Sequence, residues 1–358
     1  MKTSRIGILS GGGDCAGINP AIKWVVKTAL DERHNQERDI CYEVIGIREG
    51  WRGLLELNTT PLNQEIVRTW DRYGGTALGT SRTNPCDPRN DQTGTVLANI
   101  KTLGLDALVA IGGDDTQSVA NRLYQEGINI VSIPKTIDRD LPETDYTLGF
   151  ETALNVITEE IDRLRTTAGS HRRVFVVETM GRHAGWLALG GGESSGAFVI
   201  LIPEFDFSME KISEIVLEGR KAGMRYDIII AAEGAKPKGG VEFTKEAGLD
   251  AFGHKKLGGI AEYLARELQQ MTGIETRSVN LSHLQRGGAP CAYDRRMGRY
   301  FGIAAVDLLA MHNYGKMVCL INGSITACPL ADVVGRASFV NVETHYDRER
   351  YNGRRTIL

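Results

Sequence analysis

Two loops carry the residues best suited to chemistry. The apolar run Ala107–Ile111 ends in Gly112-Gly113-Asp114-Asp115-Thr116, and the run Ile128–Ile133 ends in Pro134-Lys135-Thr136-Ile137-Asp138-Arg139-Asp140. Four carboxylates and one lysine therefore gather at two strand ends. In an open parallel sheet, ligands bind beyond the carboxyl ends of the strands. Carboxylates beside glycines suit a metal–phosphate site there. Glycine lets backbone N–H groups approach an anion, and Mg²⁺ takes few carboxylates because it keeps part of its water. The chemistry expected is phosphoryl transfer.

The elements that must position these loops are legible in the hydrophobic pattern. Arg5–Ser10 reads as a buried strand, followed by Gly11-Gly12-Gly13 and a helix whose first turn accommodates Pro20 and whose apolar face is Ile18, Ile22, Val25, Val26 and Leu30. A strand, a glycine loop and a helix N-terminus together present N–H groups to an anion. The spacing is neither a Walker loop nor GxGxxG, so a tight turn without a ligand stays open. Gly74–Arg82 is a second glycine-rich stretch, and Arg82 is either a solvated charge or a cation reaching over a phosphate.

Strands at Cys41–Ile47, 106–111 and 128–133 alternate with helices, one of them near 94–103, which predicts a doubly wound parallel sheet. A second array follows. A helix spans Leu148–Arg165, and strands are expected at Val174–Glu178, Phe198–Ile202 and Asp227–Ala232, with a helix near 209–222. The polar residues Met180-Gly181-Arg182 and Glu233 again stand after strands. Helices near 257–270 and 294–312 and a last strand at Lys316–Ile321 complete the pattern, and the polar tail 334–358 reads as a solvated extension or a subunit contact. The fold class expected is α/β, with two Rossmann-like three-layer domains facing each other across a cleft. The boundaries expected are 1–149 plus about 262–312, and about 150–261 plus 313–358.

Composition excludes several classes. The 358 residues are 42% apolar and carry 42 basic against 45 acidic groups, a net charge of −3. That balance gives no electrostatic case for nucleic acid or an anionic membrane. No apolar stretch approaches a membrane span, and no signal peptide precedes the first strand. Six cysteines without metal-ligand spacing fit free thiols in a reducing cytoplasm.

Taken in order, SGGGDCAGIN, GGTALGTSR, IGGDD, PKTID, HRR–VETMGR, AAEG and ETR–SHLQRGG resemble the phosphofructokinase family from about residue 5 to about 325. The resemblance implies roles by position. Asp138 resembles the base that takes the proton from the sugar 1-hydroxyl, with Thr136 and Ile137 beside it. Asp114 resembles the Mg²⁺ carboxylate, with Asp140 near the metal. Gly13 and Arg82 resemble the contacts to the transferring phosphoryl group. Met180, Gly181, Arg182 and Glu233 resemble contacts to the sugar. Arg173, Arg277, His283 and Arg286 resemble the cluster around the sugar 6-phosphate. The family takes Arg173 and Arg277 from a neighbouring subunit, which implies a homo-oligomer, dimer or tetramer, with shared active sites.

Asp115 and Lys135 address the donor. ATP-using members carry glycine at the first position and usually at the second; pyrophosphate-using members resemble this chain. A carboxylate where the ATP α-phosphate must lie blocks and repels it, and Lys135 can supply positive charge to pyrophosphate. Val119 is expected to fill adenosine space, and Thr83 and Asn84 offer adenine no aromatic platform. The leading expectation is reversible, Mg²⁺-dependent transfer from pyrophosphate to fructose 6-phosphate. ATP as donor, sedoheptulose 7-phosphate as acceptor, and a non-catalytic sugar-phosphate-binding regulatory subunit remain open. The effector site of bacterial ATP enzymes looks incomplete: Lys23 and Lys27 remain, but Ala222 and Met224 stand where lysines are expected. Arg139, where the family has asparagine, has no assigned role; pairing with an aspartate and contact with the donor are both open.

Overall fold

The structure, a computed structural model, describes residues 2–240, 243–249 and 255–358. The chain forms two units. The first comprises residues 1–137, 141–152 and 286–337, and the second 138–140, 153–285 and 338–358.

The first unit opens with β1 (Lys2–Ser10), α1 (Ile18–Ala29), α2 (Glu32–Glu37), β2 (Ile40–Ile47), α3 (Trp51–Leu55) and β3 (Thr59–Leu62). It continues with α4 (Thr93–Thr102), β4 (Ala107–Gly112), α5 (Asp114–Gln125) and β5 (Ile130–Pro134). The second unit contributes α6 (Phe150–His171), β6 (Val174–Thr179), α7 (Trp186–Ser195), β7 (Val199–Leu201), α8 (Met209–Lys221) and β8 (Asp227–Ala232). The antiparallel pair β9 (Thr244–Leu249) and β10 (Lys255–Leu257) follows, then α9 (Ile260–Thr272) and β11 (Thr276–Asn280). The chain returns to the first unit with α10 (Ala292–Ala310), β12 (Lys316–Ile321) and β13 (Ser324–Pro329), and ends in the second with α11 (Val342–His345), β14 (Tyr346–Asp347) and β15 (Asn352–Gly353).

The first sheet runs β13-β12-β5-β4-β1-β2-β3, parallel at its centre with an antiparallel strand at each edge. The second runs β11-β6-β8-β7 and is wholly parallel. Central strands are buried and largely apolar because helices cover both faces; β4, β5, β6 and β8 are buried at every position. The long helix expected at Leu148–Arg165 runs on to His171.

Helices α1 and α10 pack closely through small residues. A Cβ at Gly298 would lie 2.6 Å from that of Pro20, and one at Gly302 would lie 2.9 Å from the Ala21 carbonyl oxygen. Asp294, wholly buried on α10, accepts hydrogen bonds from the Tyr146 hydroxyl (2.7 Å), the N–H groups of Gly149 (2.6 Å) and Thr152 (2.9 Å), and the Thr152 hydroxyl (2.5 Å). It thereby caps the start of α6 from another element. Glu178 does the same for α9, accepting from the N–H groups of Gly259 (3.1 Å) and Ala261 (3.1 Å).

Two expectations need correction. Residues 262–285 belong with the second unit, because β11 pairs with β6; residues 313–337 belong with the first, because β12 pairs with β5. Long-range strand pairing, invisible in a local pattern, decides both. The tail is not a solvated extension. Tyr346 and Tyr351 are buried, the Ile200 N–H donates to the Tyr351 carbonyl (2.7 Å), and the Tyr346 hydroxyl donates to the Ile200 carbonyl (2.6 Å). Among the described residues no helix is long and apolar enough to cross a membrane.

Asp227, fully buried at the start of β8, pairs with Arg220 at 3.1 Å. Burial outweighs that pairing and raises its pKa from 3.8 to about 6. Between those values the unfolded state releases a proton that the folded state retains, so this group lowers stability as pH rises, by roughly 3 kcal/mol in total. Asp227→Asn should therefore gain on the wild type across that window in urea unfolding; a pH-independent difference would refute the assignment.

Candidate active site

In the first sheet the chain leaves β1 outward to β2 and then returns to β4 on the other side. The carboxyl ends of β1 and β4 therefore flank a topological switch point, where crossover helices diverge and leave a crevice. The loops at that edge interlock. Gly11 N–H donates to the Ile111 carbonyl (2.9 Å), and Lys135 N–H donates to the Gly112 carbonyl (3.1 Å). Lys135 is 3% exposed, and its ammonium donates to the Gly13 carbonyl. Thr80 Oγ1 donates to the Gly12 carbonyl (2.7 Å), and Gly12 N–H to the Ser81 carbonyl (3.3 Å), which lays the Gly74–Arg82 stretch across the glycine loop. Gly12 has φ +74°, a conformation natural to glycine.

Asp114 and Asp115 occupy the first turn of α5, Asp114 exposed and Asp115 half-buried. The helix N-terminus favours both as anions. Arg82 is exposed at the end of its loop. Cys15, in the same glycine loop, donates from Sγ to the Leu148 carbonyl (3.2 Å), and burial pushes its pKa up to about 12. It is a packed thiol and no nucleophile at neutral pH.

The second unit presents its own set beyond β6, β8 and β11. Gly181 has φ +125°, and a Cβ there would lie 2.8 Å from the Ala184 carbonyl oxygen. Glu233 N–H donates to the Thr179 carbonyl (2.8 Å) and Gly234 N–H to that of Gly181 (3.2 Å), so the Met180–Arg182 and Glu233 loops are fixed to each other. The Arg182 Nε is buried without a hydrogen-bond partner among the described residues, as a donor awaiting an acceptor would be. Exposed His283 stands after β11, its Nδ1 3.0 Å from the Ser282 hydroxyl. Asp138, Arg139 and Asp140 also group with this unit, although their flanks belong to the first.

Arg173 and Arg277 lie at the other edge of this sheet. Arg173 precedes β6, Arg277 is the second residue of β11, and both pair with Glu275, at 2.8 and 2.5 Å. The six residues of β6 separate Arg173 from Met180, which is roughly 20 Å at ~3.3 Å per residue. Arg173, at the amino end of β6, therefore lies at the opposite edge of the sheet from the Met180–Arg182 loop.

Burial and contacts add detail at three other positions. Ile137 is 1% exposed, so its side chain packs in the core and only its backbone can meet a ligand. Val119 is 2% exposed within the core of the first unit. Arg286 belongs to the first unit, where its guanidinium donates to the Asp14 carbonyl (3.1 Å) and backs Gly13. Sequence reasoning also missed two organising amides. Buried Gln285 accepts from Met180 N–H (3.2 Å) and donates to the Ser282 carbonyl (3.0 Å). Asn19 donates to the carbonyls of Tyr73 and Gly74 (both 3.0 Å) and accepts from Ala77 N–H (2.7 Å). Nothing in a local pattern distinguishes such amides from surface ones.

The match to known proteins agrees with this architecture. A family model described as phosphofructokinase matches residues 5–309. A protein of Amycolatopsis methanolica named pyrophosphate–fructose 6-phosphate 1-phosphotransferase is 47% identical, covering 98% of this chain and 100% of the relative. An ATP-dependent 6-phosphofructokinase 3 of Streptomyces coelicolor is 44% identical over 92% of this chain and 94% of its own length. A crystal structure of a pyrophosphate-dependent phosphofructokinase from Marinobacter aquaeolei superposes with a TM-score of 0.83 at 23% identity, covering 99% of this chain and 89% of that one, which shows the shared fold. The chain belongs to the phosphofructokinase family of phosphotransferases.

Asn19→Ala removes three bonds from a residue 3% exposed. The expected cost is about 2–3 kcal/mol, with faster amide exchange in residues 73–82 and unchanged exchange in β6 and β8. Unchanged exchange in 73–82 would show that the loop does not depend on Asn19.

Proposed function

We infer that the chain transfers a phosphoryl group from pyrophosphate to the 1-hydroxyl of fructose 6-phosphate, giving fructose 1,6-bisphosphate and phosphate, reversibly, in the cytoplasm. The observation that carries the donor choice is the pair Asp115 and Lys135. A carboxylate in the first turn of α5 takes the N-terminal position that a nucleotide phosphate would need, while a buried ammonium stands at the glycine loop. Charge repulsion there disfavours ATP, and the positive charge favours a compact inorganic donor. The names of relatives at 46–47% identity support the same donor. ATP-dependent relatives at 42–44% make ATP the competing reading.

In this reading the first unit handles the donor and the second the sugar. Asp138 accepts the proton of the 1-hydroxyl as its oxygen attacks the terminal phosphorus. The P–O bond to the second phosphate breaks, and inorganic phosphate leaves. Arg82, Lys135 and the Gly13 N–H stabilise charge on the transferring group, the work that dominates phosphoryl transfer. Met180, Gly181, Arg182 and Glu233 hold the sugar. Arg173, Arg277, His283 and Arg286 hold its 6-phosphate; Arg286 must leave the Asp14 carbonyl to do so.

Asp114 and Asp140 are the residues that would hold Mg²⁺. The described residues contain no cluster of three or more metal-ligating side chains. A sparse set of hard carboxylate oxygens fits an ion that keeps waters and shares phosphate oxygens. When bound, the ion neutralises phosphate charge.

The placement of Arg173 and Arg277 at the far edge of their sheet supports a homo-oligomer in which each copy lends these arginines to its neighbour's site. The dimer is the simplest closed form.

Three experiments test these readings. Steady-state assays with pyrophosphate and ATP, against fructose 6-phosphate and sedoheptulose 7-phosphate, should give turnover with pyrophosphate; turnover with ATP alone would sink the donor assignment. Asp115→Gly should improve ATP use by tenfold or more, on the order of 1.4 kcal/mol, with Lys135→Gly extending the gain. For the shared site, Asp138→Ala and Arg173→Ala chains should each be inactive, yet regain about a quarter of wild-type activity when refolded together as a dimer. No recovery from a mixed assembly would mean that each chain builds its site alone.

A further inference from the structure

Arg139 stands between the proposed base Asp138 and Asp140, and its backbone is left-handed, with φ +54°. A non-glycine residue holds that conformation only where its surroundings determine it. The start of α7 and the C-terminal segment supply part of those surroundings. The Arg139 guanidinium lies 4.9 Å from the centre of the Trp186 ring, a cation–π contact. Among the described residues, two further partners of Trp186 are in the tail. Its indole N–H donates to the Ser338 carbonyl (3.2 Å), and the His345 ring packs edge-on at 5.4 Å.

Ser338 closes the connection. Its N–H donates to the carbonyl of Asp140 at 2.7 Å, while its own carbonyl accepts from Trp186. One tail residue thus holds both the backbone of the loop and the ring that holds the loop's arginine. Glu204 fastens the same pieces a second time: Oε1 accepts from the N–H of Gly185 (2.9 Å), which caps α7, and from that of Val340 (2.8 Å). Farther on, the tail is tied to the sheet. Tyr351 pairs with Ile200 and accepts from Ser208 N–H (2.9 Å), and Asn352 donates to the carbonyls of Ala197 (3.0 Å) and Phe198 (2.9 Å). The segment is therefore a strap anchored to the core of the second unit.

We propose that residues Ser338–His345, acting through Trp186 and Arg139, are a positioning clamp that fixes the backbone carrying Asp138 and Asp140. None of these clamp residues is a catalytic residue; they act on the aspartates through the loop. The inference rests on the reading that Asp138 and Asp140 serve phosphoryl transfer. A base must stand within hydrogen-bond reach of the proton it takes, and a displacement of about 1 Å can reduce rate on the order of 10²-fold.

The test uses the full-length chain carrying Trp186→Ala, Trp186→Phe or Ser338→Pro. Two quantities are read in each: kcat and KM with pyrophosphate and fructose 6-phosphate, and deuterium uptake in residues 135–148. Trp186→Ala and Ser338→Pro should lower kcat on the order of 10²-fold, with the sugar KM changed less than about threefold, and should raise uptake in that segment. Trp186→Phe keeps a ring for Arg139 and should recover most of the rate. Variants that keep wild-type kcat, or that lose rate and sugar affinity equally without local uptake, overturn the clamp. If Trp186→Ala fails to fold, Ser338→Pro and Trp186→Phe decide by the same readouts. A wild-type chain without pyrophosphate turnover, but with uptake that rises in the variants, would leave the clamp standing and remove the functional reading.

Discussion

A parallel strand cannot turn back into its neighbour; it must be followed by a crossover. That constraint organises this molecule. Every loop after a parallel strand emerges at the same edge of its sheet, so residues far apart in sequence arrive together. In the first unit it brings the glycine loop after β1, the paired aspartates after β4 and Lys135 after β5 to one edge. In the second it does the same for Met180–Arg182, Glu233 and His283, and it sends Arg173 and Arg277 to the opposite edge.

Convergence alone does not hold loops still. Buried polar groups at the ends of the elements do that. Asp294 and Glu178 each cap a helix from a different element, and Asn19 and Gln285 bind loop backbones that would otherwise lack partners. Each such group is stable inside because its hydrogen bonds are made, and each would be costly with one removed. The tail extends this logic. It ties its aromatic residues to β7 and its backbone to Asp140. The residue that had no role in the sequence, Arg139, acquires one through Trp186.

The legible part of the sequence was the part with local causes. Apolar runs gave the strands at 107–111, 174–178 and 227–232 within a residue or so, and helix periodicity gave α1, α4, α8 and α10. Glycines and aspartates after strands marked the loops, because only small or charged residues there make sense beside an anion. Illegible were the features with distant causes. The allocation of β11 and β12 depends on pairing with strands roughly 100 and 180 residues earlier in the chain. Ile137 and Val119 look like site residues in the motif but are packed in the core, since a motif does not say which way a side chain faces.

By itself, then, the sequence determined the chemistry on offer: carboxylates, including Asp115, a lysine at 135 and glycine loops at strand ends, and the family that carries them. Residue types and short spacings suffice for that, because charge and backbone freedom belong to the residue. Only the tertiary structure decided where Arg286 rests, that Arg173 and Arg277 stand at the opposite sheet edge from Met180–Arg182 and Glu233, and that the polar tail is tied to β7 and to the backbone of Asp140. Those are outcomes of long-range strand pairing and of buried hydrogen bonds, whose partners lie too far apart in the chain for any local pattern to announce them.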